Sequence, residues 1–132
     1  MRRQDGVTPE LLAFWRERRL VTLSSSRADG TLHLVPVGAT LDAAAGIVRV
    51  IASRKSQKVR NVAAAGVTGA RVAVCQFEGR RWSTLEGLAF VRDDPAAVAE
   101  AERRYTERYR RPRVNPTRVV IEIAISRVLG SV

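Results

Sequence analysis

Strand-patterned runs recur through this chain, and most connectors between them are too short to hold a crossover helix. Leu20–Ser25, Thr31–Leu41, Ile47–Ala52, Arg71–Phe77, Arg81–Arg92 and Thr117–Val128 alternate or concentrate β-branched and apolar residues. In the last run Val119, Ile121, Ile123 and Ile125 share one face. Asp29-Gly30 and Glu78-Gly79-Arg80 mark tight turns. Parallel neighbours need a connection of roughly a dozen residues or more, and only three places offer a helix. The pattern predicts six strands in a small antiparallel barrel, mainly β with helices, and argues against a Rossmann fold. Pro36 has no N–H to give a ladder, so it belongs at an edge or a bulge. Gly87 inside a long strand suggests a bulge or a close backbone approach.

The helices carry their own signals. Thr8-Pro9-Glu10 is a start, followed by the apolar stripe Leu11, Leu12, Phe14 and Trp15, with an end expected near Arg19. Asp93-Asp94-Pro95 opens another that runs to about Tyr109, with Tyr105 and Tyr109 as packing residues. Val59–Ala65 is a third, and Gly66–Gly69 after it reads as a loop. Ser24-Ser25-Ser26 reads as a strand end, and Cys75 as a small core residue.

The chain has 132 residues, enough for one domain spanning 1–132. A net charge of +10 calls for an anionic partner: nucleic acid, an acidic membrane or a ligand with phosphates and carboxylates. No apolar run is long enough to span a membrane, and no apolar stretch follows the basic opening Met1 to Gly6, which argues against a secretory signal. A single cysteine, Cys75, suits a reducing cytoplasm. A single histidine, His33, rules out a multi-histidine zinc site.

The sharpest candidate site is Ser53-Arg54-Lys55-Ser56-Gln57-Lys58-Val59-Arg60-Asn61, a basic turn between a strand and a helix. Its cations, hydroxyls and first-turn N–H groups can hold a phosphate. A solvated loop before an ordinary helix is the competing reading. A second candidate is Arg81-Trp82 at a strand start, which can pack on a flat ring or pair with a carboxylate, or can simply be a hairpin with a core tryptophan. A third is the arginine band from Arg103 to Arg118, free of acids beyond Arg108. His33 can donate to a ligand carbonyl, although a lone strand histidine is more often structural. No residue is assigned as nucleophile or base.

Several segments together resemble a known group. They are Leu12-Ala13-Phe14, His33-Leu34-Val35-Pro36-Val37-Gly38, Ser56-Gln57-Lys58 with Asn61, and Arg81 to Gly87. The tail is the most specific: Arg108-Tyr109-Arg110, Pro112-Arg113, Asn115-Pro116, Arg118 to Glu122 and Arg127 to Gly130. The chain resembles the flavin and deazaflavin oxidoreductases of the pyridoxamine-phosphate-oxidase-like split-barrel superfamily. Within it, the similarity is to the actinobacterial branch that includes biliverdin reductases using coenzyme F420. The resemblance implies a homodimer of split barrels with cofactor sites at the interface. It implies that His33, Leu34, Val35, Pro36 and Val37 line the cofactor ring. It implies that Ser56, Gln57, Lys58 and Asn61 lie along the phosphate and ribityl part, and that Arg81, Trp82 and Arg118 close the site. Arg54 and Lys55 are more basic than that pattern, and with Arg60 they join the cofactor set on electrostatics. The Gly66 to Ala70 loop is also longer.

The implied reaction is hydride transfer from reduced F420 to a conjugated small molecule, biliverdin to bilirubin being the implied case. The alternatives are an FMN-binding oxidase-like protein of the same fold, a basic nucleic-acid-binding module, and a cofactor carrier without turnover. The small number of aromatic residues among the arginines ranks the nucleic-acid reading last.

Overall fold

The computed structural model describes residues 6–132; the basic opening discussed above therefore lies largely outside the described residues. Seven antiparallel strands form one sheet: β1 (Val21–Ser26), β2 (Leu32–Val37), β3 (Ala39–Asp42), β4 (Ile47–Ser53), β5 (Ala70–Glu78), β6 (Arg81–Arg92) and β7 (Arg118–Gly130). Three helices accompany it: α1 (Pro9–Arg16), α2 (Gln57–Ala63) and α3 (Pro95–Arg108). Gly66–Thr68 is a single 3₁₀ turn.

The strand order is β2-β1-β5-β6-β7-β4-β3. The two edge strands, β2 and β3, are consecutive in the chain and joined by Gly38 alone. A flat sheet cannot satisfy that link, because neighbouring strands lie about 4.8 Å apart. The sheet therefore rolls until its edges approach, which makes a split barrel. The six strands read from the sequence become seven because the run Thr31–Leu41 breaks at Gly38. A Cβ there would lie 2.7 Å from Tyr105 Cε2 and 3.2 Å from Tyr109 Cε2, so the corner needs a glycine. Pro36 does fall on an edge strand. Gly87 does mark an irregularity in the β6–β7 ladder, where a Cβ would sit 2.0 Å from the carbonyl oxygen of Ala124.

Inside the barrel, Leu23, Val48, Val50, Val74, Leu85, Val119, Ile121 and Ile123 are fully buried. This burial follows the period-two alternation of the strands. Thr8 caps α1 by accepting from Leu11 N at 3.1 Å, and the helix delivers Leu11, Phe14 and Trp15 to the core. It ends at Arg16 rather than near Arg19, because Glu17 turns to extended backbone. The Glu17 carbonyl then accepts from Arg108 Nε at 3.0 Å and Nη2 at 2.8 Å. Arg108 also donates to Ala39 O at 2.6 Å and to Gln76 Oε1, and Gln76 donates in turn to Phe14 O at 2.7 Å. The neighbouring Tyr109 hydroxyl donates to Arg19 O at 2.7 Å and accepts from Ala39 N at 3.1 Å. Arg108, one of the candidate arginine band, is therefore a staple joining α1, β3, β5 and α3. Cys75 is also corrected: it is half-buried on the outer face of β5, opposite the inward Val72, Val74 and Gln76.

The outer face is covered unequally. α3 packs across β3, β4 and β7, burying Ala101 and Val120. The outer face of β2-β1-β5-β6 has no such cover among the described residues, and Leu32, Leu34, Phe77 and Trp82 stand exposed on it.

Replacing Arg108 by alanine leaves the Glu17 carbonyl and the buried Gln76 Oε1 without their donor, so Arg108→Ala is expected to cost about 3 kcal/mol or more, read from the urea midpoint. Arg103→Ala, which removes only exposed ion pairs to Glu100 and Glu107, is expected to cost less than about 1 kcal/mol.

Candidate functional site

The basic turn leaves β4 at Ser53 and enters α2 at Gln57. α2 starts two residues earlier than the alanine run suggests, so Gln57 and Lys58 are helical. Positions 57 and 61 then fall one turn apart on one face. Asn61 is buried and donates from Nδ2 to Ser25 Oγ on β1 at 2.9 Å, and its Oδ1 accepts from Gln57 Nε2 at 2.6 Å. Ser25 is 2 % exposed and stands directly across the ladder from His33 on β2. His33 Nδ1 is closed off from solvent and has no hydrogen-bond partner. The fold thus links His33 of β2 to Asn61 and Gln57 of α2, with Ser25 between them. Reading Ser24-Ser25-Ser26 as a strand end missed this. Leu23 and Ser25 alternate on the inward face, and a serine at an inward position signals a buried hydroxyl in need of partners.

The charge is also concentrated here. Arg54 pairs loosely with Asp93 at 3.4 Å, both exposed. Lys55, Lys58 and Arg60 have no carboxylate within ion-pair distance among the described residues. Arg60 instead donates to Lys55 O at 2.5 Å and to Gln57 Oε1 at 2.7 Å. Lys58 is half-buried, and that burial pushes its ammonium below the usual lysine pKa of 10.5. A cation held partly out of water without a counter-charge is a receptor for an anion. At seven residues α2 has a small dipole, so side chains must carry most of the attraction. Ser56 Oγ donates to Ser53 O at 2.8 Å and shapes the turn. The Arg110–Pro116 connector packs against it, with Asn115 Nδ2 donating to Ser53 Oγ at 2.9 Å.

Other candidates are placed differently. Arg118 pairs with Ser53 in the β4–β7 ladder, so it borders the turn, but its guanidinium is held by Glu102 at 2.8 Å and by Arg113 O at 2.7 Å. Arg81 is bound to Glu17 at 2.7 Å and Glu78 at 2.6 Å and lies over the Phe14 ring. Those bonds hold the Glu17 carboxyl below its ordinary value. Arg81 and Trp82 begin β6, whereas Ser25 and His33 are level with Gly87. Six residues of strand put them roughly 20 Å from the His33 level within one protomer. Leu34 and Pro36 point outward, away from His33, Val35 and Val37. A cavity of about 550 Å³ lies elsewhere, between α1, β3 and α3. It holds none of the residues expected to bind the cofactor, and of the arginine band it holds Arg104, paired with Asp42 and Glu100, and the staple Arg108.

A seven-stranded split barrel with Asn61 of α2 bonded to Ser25, which faces His33 across the β1–β2 ladder, has the fold of the pyridoxamine-phosphate-oxidase-like class. The profile of the pyridoxamine 5'-phosphate oxidase family matches residues 7–131, and the chain belongs to that family. It is 47% identical over 125 residues to an F420H(2)-dependent biliverdin reductase of Mycobacterium tuberculosis, covering 95% of this chain and 88% of that one. Among solved structures, a conserved hypothetical protein of Mycobacterium tuberculosis superposes with a TM-score of 0.76 at 24% identity, over 92% of this chain and 81% of that one. An F420 reductase superposes with a TM-score of 0.70 at 21% identity, over 89% and 94%. These two likenesses show the fold. The expected split-barrel class is thereby borne out. No helix among the described residues is long and apolar enough to cross a membrane.

If Lys58 is kept for a ligand rather than for the fold, Lys58→Met removes a desolvated charge and is expected to leave the urea midpoint unchanged or raise it. A clear fall in the midpoint would make Lys58 a structural residue.

Proposed function

We propose that the protein is a reductase that uses reduced coenzyme F420 to convert a conjugated tetrapyrrole, with biliverdin to bilirubin as its reaction. The observation that carries this reading is the link from α2, which bears the half-buried Lys58 without a carboxylate partner, to the inward face of β2 through Asn61 and Ser25. It supports a single site with an anion end at the turn and a ring end at β2. The 47% identical relative, named for F420H(2) and biliverdin, agrees with the reductase class and the cofactor expected from the sequence.

The chain's residues fit such a ligand. Lys55, Lys58 and Arg60 offer charge to its phosphate and acidic tail, with Arg54 at the rim. Ser56, Gln57 and Asn61 offer donors and acceptors beside that end. His33, with its unpartnered Nδ1, and the apolar Val35 and Val37 suit the edge and face of a flat ring. When bound, reduced F420 supplies a hydride to the acceptor. The protein's task is then to hold the reactants in register and keep water out. No side chain is required as a nucleophile. Arg81 and Arg118 could hold tetrapyrrole propionates only by exchanging their carboxylate partners.

We further read the chain as one domain that works as a homodimer in the cytoplasm. The uncovered face bearing Leu32, Leu34, Phe77 and Trp82 suits a second copy. Such a copy could bring its Arg81 and Trp82 to a site that they cannot reach in their own protomer.

Mixing the protein with F420H2 and biliverdin is expected to oxidise the cofactor and form bilirubin, followed by absorbance. No cofactor oxidation with biliverdin or any other conjugated acceptor would remove the enzyme reading, and a tightly bound yellow FMN in the purified protein would favour the flavin alternative. Lys58→Ala is expected to weaken F420 binding roughly ten- to a hundredfold, measured by quenching of the deazaflavin fluorescence. In the wild type, binding should weaken as pH rises through the depressed Lys58 pKa, below 10.5, because only the ammonium attracts the anion. Phe77→Asp is expected to shift sedimentation from dimer to monomer; an unchanged sedimentation coefficient would place the interface elsewhere.

A further inference from the structure

The polar groups of α2 form a hydrogen-bond chain whose direction is fixed at one end. Arg60 Nη2 donates to Gln57 Oε1 at 2.7 Å. A guanidinium has no acceptor, so this contact decides which end of the Gln57 amide faces it. Gln57 Nε2 must then donate to Asn61 Oδ1, at 2.6 Å, and Asn61 Nδ2 must donate to Ser25 Oγ, at 2.9 Å. Reversing the two amides would set donor against donor at Arg60. Ser25 accepts this bond and is buried, yet its own hydroxyl hydrogen is given to no group among the described residues. Directly across the ladder stands His33, whose buried Nδ1 also has no partner. Opposed side chains on one face have Cβ atoms about 5 Å apart, within reach of a rotamer change. One arrangement satisfies both leftovers: the Ser25 hydroxyl donates and Nδ1 accepts. The reverse, Nδ1–H to Ser25, would leave the hydroxyl hydrogen buried and unpaired.

We propose that the directed chain from Arg60 through Gln57, Asn61 and Ser25 holds His33 in the tautomer protonated at Nε2, and that Ser25 is a positioning residue for the ligand site. A histidine's tautomer is set by the bond that its other nitrogen makes. With Nδ1 occupied as an acceptor, His33 is a neutral donor through Nε2–H, suited to a carbonyl or ring nitrogen of a conjugated ligand. The chain begins in the basic turn and ends on the ring strand, so it ties the two ends of the site together. The role toward the ligand rests on the deazaflavin reading; the tautomer does not.

His33 is the only histidine, so a long-range proton–nitrogen correlation spectrum of histidine-labelled protein reports it without ambiguity. At a pH where the ring is neutral, the free wild type is expected to show Nδ1 unprotonated and Nε2 protonated. Ser25→Ala is expected to give a mixture of tautomers and about fivefold weaker F420 binding, the effect of one ordinary hydrogen bond. Ser25→Thr, which keeps the hydroxyl, should restore the single tautomer. If Ser25→Ala folds poorly, Arg60→Gln supplies the same test, because a glutamine can present either end to Gln57 and should also mix the tautomers. Protonation at Nδ1 in the wild type, or a tautomer ratio unmoved in these variants, overturns the proposal. The expected tautomer with F420 binding unchanged in Ser25→Ala overturns the positioning role. Failure of the wild type to bind F420 overturns the cofactor reading on which that role rests.

Discussion

One residue, Gly38, joins the two opposite edges of the sheet, and the rest of the structure depends on that link. It forces seven antiparallel strands to curl, and the curl creates an interior that Leu23, Val74, Leu85 and Ile121 fill. The corner is locked by the end of α3. Tyr105 and Tyr109 close against Gly38, and Arg108 and Tyr109 gather carbonyls from Glu17, Arg19 and Ala39. Burial lowers the Arg108 pKa, but arginine starts so high that the charge persists. A neutral side chain could not serve so many acceptors at once.

Locking one end of β2 sets the position of the other. His33 lies towards the free end of that strand, where α2 packs on β1, β5 and β6. The barrel core needs apolar residues at inward positions, and at this end it receives Ser25, His33 and Asn61 instead. Asn61 is bonded to Gln57 and Ser25 there, and His33 Nδ1 is left without a partner. The charge follows the same division. Arg103 and Arg104 of α3 are paired with Glu100, Glu107 and Asp42, and Arg118 of β7 with Glu102, whereas Lys55, Lys58 and Arg60 have no carboxylate within ion-pair distance among the described residues. The paired arginines cancel against their carboxylates, so the net charge of +10 resides in unpaired cations, among them those of the basic turn.

The sequence made the antiparallel barrel, the caps of α1 and α3, the Gly87 irregularity and the edge position of Pro36 legible, because each rests on local chemistry. It hid the break at Gly38, since a glycine inside an alternating run reads as strand until the tyrosines packed on it are known. It hid the role of Arg108 for the same reason: its acceptors lie up to 91 residues away in sequence. The basic turn and the ring strand were both visible as motifs. Their connection was not, because it passes through Ser25, and one serine among three gives no sign of which faces inward until the strand register is set. Arg81 and Arg118 read as free cations, although their carboxylates come from α1, the β5–β6 hairpin and α3.

The central claim is that the basic turn and the inward face of β2 belong to one ligand site. It is tested most directly by titrating oxidised F420 into the protein while following the His33 ring and the backbone amides of residues 56–61 by NMR. Both sets of signals are expected to move along one saturation curve with a common Kd. Movement of the turn alone, or two curves with different midpoints, would contradict it.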